Sequence, residues 1–65
     1  MPNYQKFAFS IAEFCKAHSI SRAFFYKLLK EDRAPRLMRL GNKTLISIEA
    51  AEAWRRNLEE VPHVK

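Results

Sequence analysis

Seven cationic side chains stand between positions 22 and 43, at Arg22, Lys27, Lys30, Arg33, Arg36, Arg39 and Lys43, and only Glu31 and Asp32 oppose them. The surplus over this third of the chain equals the net charge of the whole, +5, because the remaining acids and bases balance. Cations grouped in this way offer charge-assisted hydrogen bonds to phosphate, the footprint expected of a nucleic-acid binder. Other reactive types are sparse. Cys15 and His18 lie three apart, half of a metal-ligand spacing, yet the other histidine is His63 near the end of the sequence. A four-ligand zinc set is therefore not recognisable, and a buried apolar role is expected for Cys15. The acids are scattered and form no nucleophile–base or carboxylate pair. Binding is expected rather than catalysis, with no metal and no cofactor.

Three of the cations belong to Ser21–Lys30, Ser-Arg-Ala-Phe-Phe-Tyr-Lys-Leu-Leu-Lys. Ser21 is a good N-cap for a helix from about Arg22 to Glu31. At about 100° per residue, Phe25, Leu28 and Leu29 gather on one face with Phe24 at its edge. Arg22, Ala23, Tyr26, Lys27 and Lys30 gather on the other, which contains no acid. Upstream, Ser10-Ile11-Ala12-Glu13 has the form of a capping box, and Phe9 and Phe14 occupy the positions of a hydrophobic staple. That helix, from about Ile11 to Ala17, buries Ile11, Phe14 and Cys15 with His18 on the same side. Only a tight turn separates it from Ser21, which makes the pair a helix-turn-helix whose second helix would enter the major groove.

The rest of the chain supports these two helices. Lys6–Phe9 is expected as a brief strand, and Asp32–Pro35 as a connection, because Pro35 cannot continue a helix. Arg36–Leu40 and Thr44–Ile46 flank Gly41-Asn42-Lys43 and read as a hairpin. A two-residue loop would set Met38 opposite Leu45. A three-residue loop would set Met38 opposite Ile46, and is favoured because it keeps Arg39 and Lys43 together on the outer side. Ser47 caps a third helix from Ile48 to about Glu59, with Ala50, Ala51, Trp54 and Leu58 as its buried stripe. Glu52 and Arg56 are spaced to pair across one turn.

Sixty-five residues suit one domain, 1–65, with 1–6 and 61–65 expected to be loosely held. The lone cysteine allows no internal disulfide, which fits a reducing cytosol. The chain has no apolar run of membrane-spanning length and no signal-peptide core at its start, so a cytoplasmic location away from any membrane is expected. The fold class is mainly α with a small β-hairpin, a winged helix-turn-helix.

Ser21-Arg22-Ala23-Phe24-Phe25-Tyr26-Lys27-Leu28-Leu29, Pro35, Arg39-Leu40-Gly41 and Ala51-x-x-Trp54 resemble the small phage excisionases and AlpA-like regulators, which share a MerR-like winged helix. The likeness covers about residues 7 to 58. It implies a double-stranded DNA partner, with the second helix in the major groove and the hairpin wing at the adjacent backbone or minor groove. On matching positions Arg22 and Lys27 face the groove, Tyr26 contacts phosphate or packs, and Arg39 is a wing contact. Phe24 departs from the pattern and is expected as extra core.

The expected DNA-contacting set is thus Ser21, Arg22, Ala23, Tyr26, Lys27, Lys30, Arg36, Arg39 and Lys43. Arg22 is placed to reach guanine, and Lys27 and Lys30 to hold phosphates. An excisionase would bind tandem sites and bend the attachment DNA for an integrase, self-associating only on DNA through the wing or the face around Glu49, Glu52 and Arg56. The alternatives are an AlpA-like transcriptional regulator, or an inhibitor or antitoxin that turns the basic face on an acidic protein.

Overall fold

The computed structural model describes residues 7–59. The elements in chain order are β1 (Ala8–Ser10), α1 (Ile11–Ala17), α2 (Arg22–Lys30), β2 (Met38–Leu40), β3 (Lys43–Ser47) and α3 (Ile48–Leu58). Three helices thus accompany a three-stranded antiparallel sheet in the order β1-β3-β2. The sheet is larger than the hairpin expected from sequence, because β1 pairs along β3, with Phe9 opposite Ile46. The expected tails at 1–6 and 61–65 lie outside the described residues.

Each helix begins where a serine can cap it. Ser10 and Glu13 close the full capping box, with Glu13 N–H donating to Ser10 Oγ at 3.1 Å and Ser10 N–H to Glu13 Oε1 at 2.9 Å. Ser21 Oγ accepts from Phe24 N–H at 3.0 Å and Ser47 Oγ from Ala50 N–H at 2.9 Å. The staple is also formed, with the Phe9 and Phe14 rings edge-to-face at 6.0 Å.

The ends of α1 and α2 are less obvious in the sequence. Both close in a Schellman motif without glycine. After α1, Ile20 N–H donates to Cys15 O (3.0 Å) and Ser19 N–H to Lys16 O (3.3 Å). After α2, Arg33 N–H donates to Leu28 O (2.8 Å) and Asp32 N–H to Leu29 O (3.1 Å). The residue at the turn must be left-handed, and Ser19 and Asp32 take φ of 59° and 61°. A Cβ in that region costs energy that glycine avoids. Ser19→Gly should therefore stabilise the domain by about 0.5–1 kcal/mol, and Asp32→Gly by less, since aspartate tolerates this conformation. Urea melts of the two variants check this; a destabilised Ser19→Gly would contradict it.

The core gathers where the elements meet: Phe14, Cys15, Phe25, Ile46 and Ala51 are buried, with Phe9, Ile20, Leu37 and Trp54 packed around them. Trp54 Nε1–H donates to Arg33 O at 2.8 Å, which ties the α2–β2 connection to α3.

Several expected core positions are corrected. Leu29 is 37% exposed, because the core contacts Phe25 and Leu28 and leaves the helix flank to solvent. Leu58 is 54% exposed, because it borders an open groove instead of meeting the core. Phe24 is not extra core: at 45% exposure it lines, with Leu28, Trp54 and Leu58, an open groove of about 580 Å³ between α2 and α3. Glu52 and Arg56 do not pair, since two exposed side chains gain little by being held together.

The hairpin register is corrected too. Met38 lies opposite Leu45, Arg39 opposite Thr44 and Leu40 opposite Lys43, so Gly41-Asn42 forms a two-residue loop. Within that loop Gly41 carries the positive φ, 61°, which is the arrangement of a type II′ turn whose twist matches the strands. A one-residue shift moves every side chain to the opposite face. Arg39 therefore shares the face of Thr44 and Ile46, while Lys43 shares that of Leu40. The expected pairing of Arg39 with Lys43 on one outer side is not formed.

Candidate nucleic-acid interface

The rotation of α2 about its buried seam determines the site. Phe25 and Leu28 are buried, and the opposite face carries Arg22, Ala23, Tyr26, Lys27 and Lys30, all exposed. Ser21 is exposed at the cap. Tyr26 is half-exposed, and its ring stands edge-on to Phe25 at 5.7 Å. Arg36, on the approach to β2, and Arg39 and Lys43, on the hairpin, are exposed as well. All nine expected residues thus reach the surface, six on or beside α2 and three on or beside the hairpin.

Charge is unevenly satisfied across this surface. Arg33 pairs with Glu31 at 3.8 Å. Arg22, Lys27, Lys30, Arg36, Arg39 and Lys43 make no ion pair with a described residue. Lys27 and Lys30 complement the negative end of the α2 dipole, so part of their role is local. Arg22 does the reverse. It sits in a first turn with no acid, whereas α1 and α3 have Glu13 and Glu49 there. Free amides and a guanidinium side by side favour an approaching anion.

The residues considered for metal binding are otherwise engaged. Arg55 can only donate, so its Nη1–H bonds to His18 Nε2 at 3.0 Å, and His18 Nδ1–H donates to Phe14 O at 2.8 Å. The His18 ring stacks on Phe14 with centroids 4.1 Å apart. Cys15 is buried, and burial pushes its thiol above the ordinary value against a lesser opposing pull from the Arg22 charge. Among the described residues no group of three His, Cys, Asp or Glu is placed to hold a metal ion. His63 lies outside the described residues.

Sequence reading missed two surface features. One is the groove beside Phe24, hidden because Leu58 looks like core by spacing alone. The other is Leu40, 65% exposed beside the hairpin loop, which the other register would have turned inward. No described helix is long and apolar enough to cross a membrane. Compared with protein families, curated proteins and solved structures, the chain matches none at a significant level.

Proposed function

We propose that this chain is a sequence-specific double-stranded DNA-binding protein with winged helix-turn-helix architecture, α2 being the recognition helix and β2–β3 the wing. The observation that carries the reading is the acid-free outer face of α2, exposed along its length, together with unpaired exposed cations on the hairpin. A solvated face normally mixes signs; this one suits a polyanion. Arg22 and Ala23, in the first turn, stand where such helices meet base edges, and Lys27, Lys30, Arg36, Arg39 and Lys43 serve the backbone. The sequence resemblance to excisionases extends the reading to a recombination directionality factor. In that role the protein would fill tandem sites, bend attachment DNA and assist an integrase.

Positioning and reading are separable by mutation. On a duplex that the protein selects from a random pool, Arg22→Ala should cost roughly 1–3 kcal/mol, and far less on random duplex. Lys30→Ala should weaken both about equally. Fluorescence anisotropy on the two DNAs decides: identical behaviour of the two variants would contradict a base-reading Arg22. No binding to any duplex would turn the basic face towards an acidic protein partner instead.

A further inference from the structure

The hairpin ends in an apolar side chain that the fold does not use. Leu40 is the last residue of β2, 65% exposed, and pairs with Lys43 across the two-residue loop. Strand alternation places both on the face opposite Ile46, which is fully buried, so Leu40 points away from the core. Met38, one alternation back on the same face, is also exposed. Space beside the loop is open: a Cβ added at Gly41 would meet nothing within 4 Å. A tight turn with positive φ at Gly41 fixes the strand ends, so the Leu40 side chain is presented by a short, constrained tip.

Cations lie along the same hairpin, one of them on the face of Leu40. Lys43 is its cross-strand neighbour, Arg39 precedes it on the other face, and Arg36 lies at the approach to the strand; all are exposed and unpaired among the described residues. An apolar side chain with a cation beside it on the same face suits a partner with phosphates outside and stacked apolar faces inside. Nucleic acid has that construction, and a protein groove with acidic walls lacks the stack. The two strands stand roughly 4.8 Å apart, so with its side chains the hairpin rides over a minor groove about 6 Å wide. A single side chain can enter it.

We infer that Leu40 is a wedge: the wing places it in the minor groove, where it enters a base step and kinks the duplex, while Lys43, on the same face, holds a flanking phosphate. This rests on the DNA-binding reading above and adds a local deformation made by one side chain. Unstacking a step is costly, and pyrimidine–purine steps yield most readily, so the wedge also selects a flexible step that no hydrogen bond reads.

The test uses a duplex recovered by the full chain from a random pool, with fluorophores at its ends to report bending. A parallel set carries 2-aminopurine at successive positions to report unstacking. The wild type should bend the duplex by about 20–90° and brighten 2-aminopurine at one step. Leu40→Ser, at an exposed site, should keep the wild-type circular dichroism and bind within about tenfold, because phosphate contacts supply most of the affinity. It should lose both the bend and the bright step, and Leu40→Phe should restore them. A Leu40→Ser protein that bends and unstacks like the wild type would overturn the wedge. So would a wild type that binds without unstacking any step, or a Leu40→Ser change confined to self-association in sedimentation. Failure of the wild type to bind any duplex would instead remove the DNA-binding reading itself.

Discussion

Phe14→Ala should remove about half of this domain's stability and lower its urea midpoint in proportion. Phe14 has no exposed surface, and its ring meets those of Phe9 at 6.0 Å, Trp54 at 5.3 Å and Phe25 at 5.7 Å, so one side chain joins β1, α2 and α3. It also supports the His18 ring stacked on it, through which Arg55 reaches α1. Truncating a buried phenylalanine costs about 3–5 kcal/mol from lost transfer energy and the cavity left behind. A domain of this size has roughly 3–10 kcal/mol in all, at about 0.05–0.15 kcal/mol per residue. Among the described residues Cys15 is a free thiol and no cluster of His, Cys, Asp or Glu is placed to staple the core through a metal. Phe24→Ala is the control: half-exposed beside its groove, it should cost well under half as much. Urea titrations followed by circular dichroism compare the two. A Phe14→Ala protein with a wild-type midpoint would show that the core is organised around some other residue.

The structure also shows which physical signals a sequence carries openly. Helix starts were legible because Ser10, Ser21 and Ser47 act through hydrogen bonds spanning three residues, visible as spacing. The buried seam of α2 and its cationic opposite face were legible because helical rotation is fixed by local geometry. Signals that depend on distant packing were not. Leu29 and Leu58 have the right period for burial, but whether another element covers them depends on the tertiary arrangement. Helix ends were blurred because Ser19 and Asp32 hold the left-handed positions usually marked by glycine. The hairpin register turned on one residue of loop length, and the choice rested on grouping Arg39 with Lys43. The strands follow turn geometry instead, with the positive φ at Gly41. Which residues the candidate surface contains was therefore readable, while the register of its hairpin was not.

The proposed binding to duplex DNA should weaken steeply with salt. Arg33 is paired with Glu31, which leaves Arg22, Lys27, Lys30, Arg36, Arg39 and Lys43 available on the proposed surface. If four to six of them neutralise phosphates, the slope of log affinity against log salt is roughly −4 to −5, from about −0.9 per contact. Raising salt from about 50 to about 200 mM then lowers affinity by about 250–1,000-fold. Arg39→Ala and Lys43→Ala should each reduce the slope by about one, since each removes one phosphate partner. The measurement that decides is anisotropy of a labelled random duplex titrated with the wild-type protein across that salt range. A linear plot with a slope of roughly −4 to −5 is the expected result; an affinity that stays within about threefold would contradict phosphate binding by this face.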